Sequence, residues 1–211
     1  MNKKVYIIGA GGHGEVIWDT LEEMGISPEG FLDDAYPEIT SVSGKPVLGK
    51  VSLVKELEGL FVVAIGDNLI RRNIVSKLNF PDEKYFTVIH PTVFVSKNVK
   101  IGAGSMLIAH CVVNTGSIVG RHVILNTSAS LDHHNIVEDF VHIAPGVHTG
   151  GNVHIKEGAF IGLGASIIPN ITISKWSVVG AGSVVIEDVP DYVTVVGVPA
   201  KIIKTKKVEA E

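Results

Sequence analysis

From Ile89 to Val185 an aliphatic residue returns at every sixth position. All seventeen positions of that phase hold Ile, Leu or Val except one, Thr149. Four places after each stands a small or β-branched residue, from Val93 to Ser183, broken only by Asn135. A period of six fits neither the 3.6 residues of a helix turn nor the two of a strand. It predicts a β-solenoid, with one short strand and one turn per unit and three units closing a triangular coil. Residues three units apart then stack on one face. Residues one unit apart look out from different faces.

The chain divides near residue 88, into 1–88 and 89–211. The first part alternates between strand and helix patterns. Val5–Ile8, Gly30–Leu32 and Leu60–Ile65 read as buried parallel strands, and Phe86–Ile89 as a strand leading into the solenoid. Glu15–Met24, Lys50–Leu57 and Leu69–Leu78 read as helices. The fold class expected is an α/β, Rossmann-like half with a parallel sheet, followed by the solenoid. Pro190–Lys207 leaves the repeat as a cap and tail.

Composition narrows the function. The chain has 211 residues, a formal net charge of −4 and a pI near 6.1, and no basic patch argues for nucleic acid. Mean hydropathy is high, at +0.34, but the apolar residues follow the six-residue phase and form no membrane-spanning run. The basic start Met1-Asn2-Lys3-Lys4 precedes too short an apolar stretch for a signal-peptide core. The single cysteine, Cys111, falls at an inward position, so no disulfide framework is expected and a cytoplasmic protein is.

Three motifs carry chemistry. Gly9-Ala10-Gly11-Gly12-His13-Gly14 lies between a strand and a helix, with Asp33 about 20 residues on. Backbone N–H groups at such a helix start attract phosphate oxygens. Fewer than 90 residues precede the solenoid, room for one mononucleotide half and not the two halves of a dinucleotide fold. The second motif is histidine-rich. His142, His148 and His154 share a phase but sit on successive faces, which argues against a metal. His133 should point outward in the one unit broken by Asn135, and Gly151 lies one coil on, with an N–H able to meet an oxyanion. The third is Gly197-Val198-Pro199-Ala200-Lys201, a turn after the last unit.

The stretches IIGAGGHGEV at 7–16, FLDD at 31–34, AIGDN at 64–68, 124–155 and VGVPAKII at 196–203 resemble the sialic acid O-acetyltransferase and nucleotide-sugar N-acetyltransferase family, over both parts of the chain. That resemblance implies a left-handed parallel β-helix, a homotrimer, acetyl-CoA as donor and sites between subunits. Its acceptors are amino groups of UDP-linked 4-amino-4,6-dideoxy sugars or of GDP-perosamine, used in bacterial surface glycans. It matches His133 to a general base, His142 to a histidine near the thioester and Gly151 to an amide facing the acetyl carbonyl. Asp132 and His134 flank the base as candidate orienting groups. Gly11, Gly12, His13, Gly14, Asp33, Asp34, Gly66 and Asn68 fall in the nucleotide-sugar region. Ala181 and Lys201 are candidates for acetyl-CoA. Phe140 and Phe160 are expected outside the solenoid, at a subunit contact. Rival readings are O-acetylation of sialic acid, an NAD-binding oxidoreductase and a solenoid without catalysis.

Overall fold

The computed structural model describes residues 4–205; the first three residues of the basic start and the tail after Thr205 lie outside them. The first unit is a five-stranded sheet. Strand β1 (Val5–Ile8), wholly buried, lies between β2 (Gly30–Leu32) and β5 (Leu60–Val63), parallel to both. Helix α1 (Gly12–Glu23) starts three residues before the expected boundary, because Gly12 and His13 already take helical form. Helix α2 (Asn68–Leu78) is capped by Asp67, whose carboxylate accepts from the Ile70 N–H at 2.9 Å, and it ends at Asn79 in the left-handed region.

Two expectations fail here. Residues 50–57 form no α-helix; only a 3-10 turn, Val51–Lys55, is present. Val54 is buried in that turn and Val51, Leu53 and Leu57 pack half-buried beside it, so one short turn already seats the apolar side chains. A hairpin of β3 (Ser41–Val42) and β4 (Lys45–Gly49) was not foreseen; Ser43 and Gly44 turn it with φ of 49° and 77°, which matches the strand twist.

The rest is a left-handed parallel β-helix. Its two-residue strands pair in register with strands 18 residues away, as Ile124 with His142 and Leu125 with Ile143. Three stacked sheets result. The first face carries Val88, Met106, Ile124, His142, Phe160 and Val178 outward; the second, Phe94 to Val184; the third, Lys100 to Thr172. The six-residue phase points inward and packs into one apolar core. Fourteen successive corners, at every sixth residue from Gly104 to Gly182, have positive φ. Six are Gly, two Asn and three His (His110, His122 and His134), residue types that tolerate this region. Phe140 and Trp176 are bulky exceptions, with φ of 59° and 54°.

The α/β unit sits on the first face. Ile17, Trp18 and Phe31 share a core with Val88, Met106 and Ile124, which are fully buried although they point out of the solenoid. Each such side chain withdrawn from water contributes about 1.5–3 kcal/mol. The same docking corrects the expectation for Phe140. It is 7% exposed, stacked on His122 at 5.3 Å between ring centres, so the chain itself covers it. Among the described residues no helix is long and apolar enough to cross a membrane.

Candidate active site

The junction between the two units is held by a buried arginine. Arg71 is inaccessible to solvent, and its guanidinium donates to the carbonyls of His122 at 2.9 Å, Ile65 at 2.7 Å and Phe140 at 2.8 Å, and to Asn68 Oδ1 at 2.8 Å. Every contact is to a neutral acceptor. Burial lowers its pKa to about 9, with the Asp67 carboxylate opposing. Asn68 belongs to the same clamp. Its amide donates to the carbonyls of Gly158 and Ala159 and so joins α2 to the solenoid, at the edge of the cavity described below. Sequence reading missed Arg71, which looks like any polar helix residue until the helix is docked.

His142 lies beside this clamp with its tautomer fixed from both sides. Nδ1 is 3.0 Å from the Gly66 carbonyl, which can only accept, so Nδ1 carries the proton. Asn126 Oδ1 accepts from the Thr127 N–H, which turns its amide nitrogen toward His142 Nε2 at 3.3 Å. Nε2 is therefore an acceptor. Burial, more than the hydrogen bond to Gly66 or the Arg71 charge, sets its pKa at about 4 and keeps it neutral. His13 is held near 4 mainly by burial, then by His142 and Arg71, and its ring centre is 6.3 Å from that of His142.

A cavity of about 520 Å³ opens beside His142, lined by Gly66, Asp67, Leu69, Phe160, Trp176 and Val178 among others. His133 is elsewhere. It sits at the corner between the second and third faces, opposite the first. Its ring lies over Gly151 of the next coil; a Cβ there would stand 2.3 Å from the imidazole. Its Nδ1 is 3.0 Å from Nδ1 of His134, whose own ring lies over Gly116 of the preceding coil. Asp132 does not meet the ring. Its carboxylate accepts from the His133 backbone N–H at 2.8 Å and from Asn114 at 3.3 Å. Asn135 points inward, fully buried, and donates to the carbonyls of Asp132 and Gly150 at 2.6 and 3.0 Å, tying the histidine corner to the next coil.

In the glycine-rich turn, Gly11 and Gly12 face open space. Gly14 does not: a Cβ on it would stand 2.1 Å from the Gly9 carbonyl oxygen, so its role is helix–strand packing. The Asp33 carboxylate accepts from the Ala10 and Ala35 N–H groups, and Asp34 from that of Val51. Ala181 is exposed at a corner. Lys201 is exposed and lies 3.5 Å from Glu187, a partner that competes for its charge. Burial pushes the Cys111 thiol up to about 11, so it is no nucleophile.

An outward histidine pair on a β-helix, with a half-Rossmann unit clamped to one face, defines an acyl-transfer enzyme of the hexapeptide-repeat class. The known proteins agree. Residues 4–78 match the family described as the PglD N-terminal domain. A point mutant of perosamine N-acetyltransferase from Caulobacter crescentus, in complex with CoA and GDP-perosamine, is 35% identical, over 95% of this chain and 97% of that one, with a TM-score of 0.89. The acetyltransferase domain of PglB from Neisseria gonorrhoeae FA1090, in complex with acetyl coenzyme A, is 40% identical, over 96% and 100%, with a TM-score of 0.89. UDP-N-acetylbacillosamine N-acetyltransferase of Bacillus subtilis is 39% identical over 114 residues, so the match spans about half of each chain: 51% of this one and 52% of that. The chain belongs to the nucleotide-sugar N-acetyltransferase family.

Proposed function

We propose that this chain transfers the acetyl group of acetyl-CoA to the amino group of a nucleotide-linked 4-amino-4,6-dideoxy sugar, in the cytoplasm, for a bacterial surface glycan. Residues 1–88 hold the nucleotide sugar and 89–211 the donor. The observation that carries the reading is a separation. His133 stands at the corner opposite the face that bears His142 and the cavity. One chain does not bring a base to its own cavity, whereas a neighbouring solenoid in a homotrimer does. Exposed Phe94, Ile118 and Ile136 on the two outer faces supply apolar surface for that contact.

In this mechanism His133 has its Nδ1–H hydrogen-bonded to Nδ1 of His134. Its Nε2 is then a free lone pair. The sugar nitrogen attacks the thioester carbon, His133 Nε2 takes the proton from that nitrogen, and the carbonyl oxygen draws on the Gly151 N–H. The C–S bond then breaks, and the leaving sulfur takes a proton to give CoA. A positioned base supplies on the order of 10² to 10⁴ in rate. Gly11 and Gly12 hold the diphosphate, with Asp33 and Asp34 beside the nucleoside.

The test is complementation. A His133→Ala chain and a chain with its cavity blocked by Gly66→Trp should each lose turnover of UDP- or GDP-linked amino sugars. Co-expressed, they should regain part of it, because mixed trimers contain intact sites. No recovery, with mixed trimers present, would overturn the shared site.

A further inference from the structure

Two imidazoles meet at the corner between the second and third faces, and among the described residues neither ring is hydrogen-bonded to a carboxylate. His133 Nδ1 and His134 Nδ1 are 3.0 Å apart, with the ring planes at 76° to each other. Both rings are seated on glycines. His133 lies over Gly151 of the following coil, and His134 over Gly116 of the preceding one, where a Cβ would stand 2.5 Å from the ring. The His134 backbone has φ of 58° and donates to the Thr115 carbonyl at 2.9 Å. The adjoining coils bring no ionisable side chain to the pair: Thr115 and Gly116 lie on one side, Gly151 and Asn152 on the other. On their own coil the neighbouring carboxylate is Asp132, which turns to the His133 backbone N–H and to Asn114. Two ring nitrogens hold such a distance when one carries a proton and the other does not. If His134 donated, His133 would carry its proton at Nε2 and have no lone pair for a substrate proton. A hydrogen bond from His133 Nδ1–H to His134 Nδ1 is the arrangement that leaves a base.

We propose that His134 is a positioning residue that acts as a neutral acceptor: its Nδ1 selects the base-competent tautomer of His133 and then shares the positive charge that His133 gains. The assignment rests on the acetyltransferase reading above and adds how the base is held and charged. Once the amine nitrogen has attacked the thioester carbon, its proton passes to His133 Nε2, and the pair holds one proton more than before. The charged ring now donates to a neutral one, and a charged donor makes the stronger hydrogen bond. The proton then goes from Nε2 to the departing CoA sulfur as the C–S bond breaks, and the pair returns to its starting count. A second extra proton is disfavoured, because it would set two N–H groups and two like charges against each other across 3.0 Å. The two rings therefore titrate as one unit.

The experiment varies the acceptor at position 134. In His134→Asn and His134→Asp an Oδ1 atom takes the place of Nδ1, and both residue types tolerate the left-handed backbone. The pH profile of kcat/KM is measured with UDP- and GDP-linked amino sugars, from about pH 5 to 9. His134→Ala should lower kcat about 10-fold and move the acid limb to lower pH, because the charged base has lost its acceptor. His134→Asp should move that limb to higher pH, by about one unit, because an anion holds the charge more firmly. His134→Asn should stay near the native profile, and KM for acetyl-CoA should not change in any variant. Nitrogen NMR of the imidazoles, without substrate, should show both rings responding together to the first proton in the native protein, and His133 responding alone in His134→Ala. Acid limbs that coincide in the native, Ala and Asp proteins would overturn the proposal and leave His134 a structural corner residue. So would two rings that titrate independently in the free protein. Coupled rings with no turnover of any nucleotide sugar would bring down the acetyltransferase reading, and the proposal with it.

Discussion

The solenoid shaft and the domain junction solve burial in opposite ways. Inside the shaft the buried groups are nearly all apolar and repeat every six residues, so each coil repeats the packing of the last. At the junction the buried groups are Arg71, His122, His142 and Asn68, and every hydrogen bond made there is particular. Shaft stability is a sum of similar neighbour terms. Junction stability depends on a network in which one missing partner leaves several carbonyls without donors. A repeat tolerates local change; a network of single contacts does not.

The largest effect on that contrast should come from catalysis on the shaft. His133→Ala should lower kcat by about 10² to 10⁴ with acetyl-CoA affinity nearly unchanged, and His134→Ala should cost less, about 10-fold. The reverse order in steady-state kinetics would exchange their roles. Next comes Arg71→Met. It leaves the carbonyls of Ile65, His122 and Phe140 unpaired and should cost about 3–5 kcal/mol in urea unfolding. A loss below about 1 kcal/mol would mean that the apolar contacts alone hold the junction.

Acid should act on the junction before the shaft. His13, His122 and His142 have folded pKa values of about 4, each set chiefly by burial, below the ordinary 6.5. Between those values the unfolded chain binds more protons. Stability is therefore complete above pH 6.5 and falls as pH drops from 6.5 through 4, by up to about 1.4 kcal/mol per pH unit for each histidine. Urea midpoints at pH 7.5, 5.5 and 4.5 check this, and a flat profile would contradict the buried neutral state.

The two breaks in the six-residue rule give the smallest effects and sharpen the comparison. Thr149 is a tolerated variant of the column, with its hydroxyl 3.4 Å from the Ser130 carbonyl, and Thr149→Val should change stability by less than about 1 kcal/mol. Asn135→Val removes the donor to Asp132 and Gly150, loosens the histidine corner and should lower kcat by about 10-fold. Equal effects in a paired assay would show that Asn135 does not position the corner.

The shaft, its three faces and the outward direction of His133 followed from the sequence, because a period of six with aliphatic residues leaves one way to bury them all. Val5–Ile8 and Gly30–Leu32 were legible as short apolar runs bounded by turns. The hairpin at Ser41–Gly49 was not, since its strands of two and five residues alternate too briefly to leave a pattern. Residues 50–57 misled because a five-residue 3-10 turn seats the apolar side chains there without a longer helix. Phe140 misled because pointing out of the solenoid is not the same as facing solvent. Only docking decided that Phe140 is covered, that Asn68 joins α2 to the solenoid, that Arg71 is buried and that His142 accepts at Nε2. Those facts depend on which carbonyls and donors the two units bring within about 3 Å of each other, and no local pattern of side chains encodes that distance.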